Sequence, residues 1–409
     1  MRGEKTSKNE VTYMNRTLRT RFWVLVSLVA ISGFSQGMLL PLIAIIFEKD
    51  GVSSTLNGLN AAGLYIGILL ASPFMEPLLR KYGYKPIIMW GGALVILSLF
   101  LFPLWKSVTF WFLLRLAIGI GDHALHFATQ TWITAFSPVE KRGRNISLYG
   151  LSFGIGFAVG PLMANLVNVS ESLPFIFSAF ICFITWAFLF LLKNEIPTGD
   201  EEISTMSFAA TMKRFSQAIK YGWIAFLPPL GYGFLESSLN GSFPIYGLRI
   251  GLNVEFISLL LTSFAVGGII FQLPLGMLSD KYGRKFVLHW ILFLGSGAFL
   301  LATLLESTTI PLLTCLFIGG MLLGSTFSLG ISYMTDLMPN SLLPTGNLLC
   351  GIAFSVGSLA GPYLGGTFIG LFEGLSFFVV ISSVLFLIFL CVFLFGTSVP
   401  SYKKTTLSK

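Results

Sequence analysis

The chain nearly repeats itself after about 200 residues. Lys81-Tyr82-Gly83-x-Lys85 with Trp90 returns as Lys281-Tyr282-Gly283-x-Lys285 with Trp290. Gly33-Phe34 returns as Gly233-Phe234, Gly67 as Gly267, and Gly160-Pro161 as Gly361-Pro362, one residue out of step. An internal repeat constrains architecture before any local propensity does, because each copy must be a unit that packs in the same way. Two copies in parallel order predict two similar halves.

Composition says which solvent those halves face. Charged residues are 11% and apolar residues 54% of the chain, against roughly 25% charged in soluble proteins. A chain so poor in charge cannot cover a water-facing surface, so lipid is its main solvent. Runs at about 22–47, 57–79, 86–104, 108–136, 145–168, 172–192, 221–247, 254–279, 286–304, 310–337, 346–370 and 375–396 predict twelve spans, each near the ~20 helical residues that cross a hydrocarbon core. The first run follows a basic stretch ending at Arg21 and is too long for a signal-peptide core. The predicted fold is therefore an all-α integral membrane protein with two six-helix repeats. Residues 1–192 form the first half, 193–220 a polar link, 221–396 the second half, and 397–409 a tail. Met206 to Lys220 predicts a short amphipathic helix at the membrane surface.

The net charge of +8 invites a nucleic-acid reading, but its placement excludes that class. With the N-terminus inside, 22 of the 26 Lys and Arg residues fall in inner segments. This is the positive-inside asymmetry, with both termini cytoplasmic in a multi-pass cell-membrane protein. Short loops suggest a bacterial inner membrane. The cysteines Cys182, Cys315, Cys350 and Cys391 sit in apolar runs at unrelated spacings, so no metal site, disulfide or cofactor is implied.

Parallel membrane repeats place a substrate site near the bilayer midplane at the repeat interface. Span four carries Arg115, Gly119, Asp122, His126 and Gln130 within about a quarter of a helical turn. Ionisable groups at that depth are costly unless they face a cavity or each other. Asp122 and His126, with Arg115, are the candidates for handling a proton; a satisfied polar knot is the structural alternative. His123 points about 100° away. Glu236 in span seven is the other intramembrane acid, and the repeat makes it the counterpart of Gln36 in span one. A protonated Glu236 bonded to Ser or Asn is its structural alternative. Asn60, Tyr65, Gln130 and Gln272 complete the polar candidates for a substrate cavity. His289 is expected near the inner surface, and Asp336 is expected to cap a helix or pair with loop cations.

Gly276, Asp280, Lys281, Gly283, Arg284 and Lys285 join spans eight and nine in an order that resembles the signature loop of the major facilitator superfamily, G-x-L-x-D-R-x-G-R-K. Gly276 suits close helix approach, Gly283 a tight turn, and Asp280 with the cations a latch between states. A plain topogenic cluster is the simpler reading. The first copy departs from the pattern, with Glu76, Arg80 and Tyr84 at the equivalent positions; Glu76 and Arg80 have the spacing of a helical ion pair. Gly156, Gly160 and Pro161, and again Gly357, Gly361 and Pro362, resemble the antiporter motif G-x-x-x-G-P-x-x-G-G, which the second copy matches throughout. Small residues four apart also pack helices with no directional meaning. Arg115 and Gly119 resemble the family's R-x-x-Q-G, with Ile118 in place of Gln.

The resemblance implies a monomeric twelve-span transporter, most like the drug:proton antiporters. It implies proton-coupled efflux of small amphipathic compounds by alternating access, with substrate, protons and bilayer as the partners. A symporter of a specific metabolite and a non-transporting sensor stay open as alternatives. An enzyme is not expected, since no Ser-His pair or metal spacing appears.

Overall fold

A computed structural model describes residues 2–197, 208–339, 342–372 and 374–397. The centre of the expected link and the expected tail beyond 397 lie outside the described residues, as do the first two residues of the predicted surface helix. The described chain is helix, turn and loop throughout.

Among the described residues, eleven helices of 19 to 32 residues are long and apolar enough to cross a membrane; even the shortest spans about 28 Å at 1.5 Å per residue. They are built on α1 (Arg2–Lys49, apolar from Leu18), α2 (Ser54–Tyr82), α3 (Tyr84–Leu101), α4 (Val108–Phe136), α5 (Val139–Val159) and α6 (Leu173–Ala187). The amphipathic helix α7 (Phe208–Gly222) follows. After it come α8 (Leu227–Gly241), α9 (Phe243–Arg249), α10 (Val254–Tyr282), α11 (Arg284–Leu305), α12 (Thr309–Leu323) with α13 (Thr326–Leu337), α14 (Leu343–Leu371) and α15 (Phe377–Phe395).

The seventh expected span is divided among three helical segments. It consists of a 3-10 segment (Trp223–Phe226), then α8, then α9, broken at Ser242. Proline explains the break. Pro244 has no N–H to give to the carbonyl four residues back, so the helix restarts with that proline in its first turn.

The described residues group into two compact units. One holds the chain up to Leu39 and from Ile66 to the link; the other holds Leu40–Tyr65 and the chain after the link. Residues 40–65 therefore group with the second repeat, although they follow the first in sequence. Within that second unit, a side chain on Gly58 would strike the Pro362 carbonyl and one on Gly366 the Ser54 carbonyl. Arg249 pairs with Glu48 at 2.7 Å, and Asn57 Nδ2 donates to the Ala44 carbonyl at 2.9 Å.

The repeat is visible at the level of single carbonyls. In the first unit, α5 lies so close to α1 that a Cβ on Gly156 would strike the Ala30 carbonyl, and one on Gly33 the Phe153 carbonyl. In the second unit Gly357 meets the Leu230 carbonyl and Gly233 the Phe354 carbonyl, each pair displaced by the repeat length. Gly160 and Gly361 face the carbonyls of Phe34 and Phe234 at 2.6 and 2.7 Å from an ideal Cβ. The glycines of the antiporter pattern thus bring backbone against backbone in both halves. Pro161 coincides with a change from α-helix to a 3-10 segment (Gly160–Asn168), whereas Pro362 is carried inside α14.

Candidate functional site

Asp122 is at the midpoint of α4, fourteen residues from Val108 and fourteen from Phe136. Helix α3 is drawn onto α4 at this level, with Gly91 against the Gly121 carbonyl and Gly121 against the Gly91 carbonyl. That approach leaves Asp122 2% exposed. Its Oδ1 accepts from Ser32 Oγ of α1 at 2.7 Å. Its Oδ2 is buried and accepts no hydrogen bond from a described residue. Beside it is a small cavity of about 20 Å³, lined in part by Gly92, Cys182, Thr185 and Trp186, which is room for one water.

Ser32 joins Asp122 to His126. The Ser32 Oγ is 3.0 Å from His126 Nε2, and the other imidazole nitrogen, Nδ1, is 2.7 Å from the Tyr149 hydroxyl of α5. Gln36 reaches the same Nε2 at 3.5 Å, a weak contact. His126 is half-buried and stands edge-on to Tyr149 and Phe153. A carboxylic acid and an imidazole at mid-span, bridged by one hydroxyl, form a cluster able to accept, hold and return a proton. Such a group near a bilayer centre costs about 2.5–3.5 kcal/mol on insertion scales, so its retention calls for a use or a firm partner.

The other candidates are dispersed. Arg115 is 2% exposed and donates through Nη2 to the Leu39 carbonyl at 3.3 Å, seven residues along α4 from Asp122. Gln130 is exposed. His123 turns to Ser72 of α2 at 3.0 Å, as its offset on the helix predicts. Glu236, Asn60, Tyr65 and Gln272 belong to the second unit. Asn60 and Tyr65 are buried and Gln272 exposed. The Glu236 carboxylate is half-buried and makes no hydrogen bond or ion pair with the described residues; Asn240 Nδ2 bonds to its backbone carbonyl at 2.8 Å.

The signature loop of the second unit is an assembled cluster. Gly283 takes φ +94°, a left-handed conformation that glycine alone adopts cheaply. Arg284 Nη1 donates to Asp336 Oδ1 at 2.7 Å and to the Ser332 carbonyl at 2.6 Å, while its Nη2 lies 3.5 Å from Asp280. Asp336 is thus paired with a loop cation, as expected. Gly276 is different from expectation: among the described residues a side chain there would meet nothing within 4 Å, so the close approach its small size suggested is not seen within its unit.

In the first unit the Glu76–Arg80 pair forms at 2.8 Å, but the larger cluster is one that sequence reasoning missed. Glu195, in the first residues of the link, accepts two hydrogen bonds from Arg21 at 2.6 and 2.8 Å and one from Trp132 Nε1 at 2.8 Å. Asn194 bridges the Tyr82 carbonyl and the Lys85 N–H. Where the second unit has Arg284 on Asp336, the first has the counterparts Tyr84 and Phe136. Tyr84 stacks on Trp132, and Arg21 lies over Trp132 and Phe136 at 5.0 and 5.4 Å. The loop lysines keep one role in both halves, each capping the end of the sixth helix of its repeat. Lys85 binds the Leu192 carbonyl at 2.7 Å and Lys285 the Gly396 carbonyl at 2.6 Å, complementing the helix dipoles.

Comparison with known proteins agrees with this architecture. The chain is 57% identical to the MFS-type transporter YfkF of Bacillus subtilis over 90% of its own length and 93% of that protein. It is 22% identical to Multidrug resistance protein 2 of Bacillus subtilis, covering 85% of this chain and 88% of the relative. It is 26% identical to the class H tetracycline resistance protein of Pasteurella multocida, covering 73% and 77%. Among solved structures, the nucleoside transporter NupG shares the fold at a TM-score of 0.73, with 13% identity over 91% of this chain and 99% of that one. The family model for the Major Facilitator Superfamily matches residues 25–257 and 229–409. With two glycine-locked repeats, a signature loop and matches that run through nearly the whole sequence, the chain belongs to the major facilitator superfamily of membrane transporters.

Proposed function

We propose that this transporter exports small amphipathic compounds in exchange for protons, by alternating access. The observation that carries the proton half of this reading is the Ser32 bridge between Asp122 and His126, two titratable groups held at mid-span in an apolar bundle. Glu236 is the second acid in the proposal and Arg115 the cation on the same helical stripe as Asp122. Gln36, Asn60, Tyr65, Gln130 and Gln272 supply polar contacts to substrate. The export half draws on the antiporter pattern in α14 and on the resistance proteins among the relatives. In the cycle, proton and substrate occupy the protein in mutually exclusive states, which is a negative coupling between two sites. Arg284, held by Asp280 and Asp336, acts as a latch that must open in each cycle.

The test is proton release from purified protein in weakly buffered detergent on addition of lipophilic cations, antibiotics and metabolites. The proposal expects release on binding of a drug-like compound, lost in Asp122→Asn and weakened in Glu236→Gln. Proton uptake with a single metabolite, and no release with any drug, overturns export in favour of symport.

A further inference from the structure

With Asp122 ionised, the direction of each hydrogen bond in its cluster follows from donor counting. Ser32 has one hydroxyl proton and gives it to the Asp122 carboxylate at 2.7 Å. Its oxygen can then only accept at His126, 3.0 Å away, so Nε2 carries the imidazole proton. A neutral imidazole protonated at Nε2 accepts at Nδ1, and the donor there is the Tyr149 hydroxyl at 2.7 Å. Three donors on three helices thus point their protons the same way, toward Asp122. We propose that Tyr149, His126, Ser32 and Asp122 form one proton wire ending at Asp122, and that loading of Asp122 switches the tautomer of His126. The wire rests on the reading of Asp122 as the proton-coupling acid.

The transfer balances. A proton arriving at the Tyr149 oxygen lets the Tyr149 hydroxyl proton pass to His126 Nδ1. The Nε2 proton passes to Ser32 Oγ, and the Ser32 proton to Asp122 Oδ1. The arriving proton restores the phenol, the imidazole stays neutral, and the carboxylate becomes a carboxylic acid. Every bond then runs in reverse. Asp122 donates to Ser32, Ser32 donates to a bare Nε2, and Nδ1–H donates to Tyr149. The single Nε2 lone pair is then taken by Ser32, so Gln36, whose amide nitrogen is 3.5 Å from Nε2, stays a weak contact in both states.

The surroundings give the wire one open end. His126 and Tyr149 are half-buried, while Asp122 is 2% exposed. Beyond Asp122, α3 presents Gly92, Val95 and Ile96, α6 presents Cys182, Thr185 and Trp186, and α1 presents Leu28 and Ile31. None of these is a strong acid or base. His123 is engaged with Ser72 of α2, and Arg115 with the Leu39 carbonyl. A proton stored on Asp122 leaves by the path it entered. The side of the membrane that receives it is then set by which side His126 and Tyr149 face.

The experiment is nitrogen-15 NMR of the full-length protein in lipid nanodiscs. His126 is identified by the signal lost in His126→Asn, and the Asp122 carboxyl is followed by carbon-13 over the pH range in which the protein stays folded. The expected result is an Nε2–H tautomer while Asp122 is ionised and an Nδ1–H tautomer once it is protonated, with coincident midpoints. Ser32→Ala should separate the two events, and Ser32→Thr, which keeps the hydroxyl, should rejoin them. In reconstituted vesicles Ser32→Ala should slow proton transfer by about tenfold, less than the roughly hundredfold of a lost acid–base group because a water can enter the gap. A tautomer that stays fixed while Asp122 titrates overturns the wire, as does an Asp122 that never titrates or an imidazole protonated on both nitrogens beside ionised Asp122. If the tautomer switches but Asp122→Asn keeps proton-coupled transport, the wire stands and the coupling reading fails. If the tautomer stays fixed and Asp122→Asn loses coupling, the wire fails and the coupling reading stands.

Discussion

Asp122, His126 and Arg115 were legible in the sequence because ionisable residues are conspicuous on an apolar helix and fall on one helical stripe. Their partners were not. Ser32 is 90 positions from Asp122 in the chain and Tyr149 is 23 from His126, and a hydroxyl inside an apolar span looks the same whether it bonds its own helix or another. Glu195 was hidden for the same reason, 174 residues from Arg21. Its carboxylate binds a guanidinium through two oxygens and an indole through one, with Arg21 8% exposed. Glu195→Ala should therefore destabilise the first unit by about 1–3 kcal/mol, read as a lower melting temperature in a thiol-dye assay. Glu195→Gln, which keeps one acceptor oxygen, should fall between the two. An unchanged melting temperature in Glu195→Ala would show that the link does not brace the helix ends.

At the scale of elements, glycine divides into two kinds that the sequence pattern alone does not separate. Gly156 and Gly357 sit where another helix's carbonyl occupies the space of a side chain. Gly276, within a motif just as recognisable, faces open space. Gly156→Val and Gly357→Val should abolish folded protein at the membrane, judged by monodisperse elution in detergent, since backbone cannot yield as a side-chain tip can. Gly276→Ala should elute and transport as the parent does. Loss of folding in Gly276→Ala would mean that another packing of the α10 end is needed. The latch follows from the same comparison. Arg284→Ala removes three hydrogen bonds to α13 and the contact with Asp280 of α10 and leaves Asp336 without its cation, so transport should slow while folding persists. The break in the seventh span was only half legible: its prolines were plain, but Ser242 as the point of interruption was not.

At the scale of the whole molecule, the repeat, the span count and the family were all readable from apolar runs and returning motifs. The grouping of residues 40–65 with the second repeat was not, because it depends on which glycines meet which carbonyls. The charge asymmetry adds a topological prediction. A cysteine placed at Ser172 should react with an impermeant thiol reagent in intact cells, and one at Ser7 only after permeabilisation; the reverse pattern would invert the orientation. The central claim is that a proton held by the Asp122 cluster drives substrate movement. It is tested most directly in vesicles loaded with a transported lipophilic cation, comparing uptake driven by an imposed pH gradient with exchange at equal pH. The account predicts that Asp122→Asn loses gradient-driven accumulation yet keeps exchange. Accumulation that survives in Asp122→Asn would contradict it.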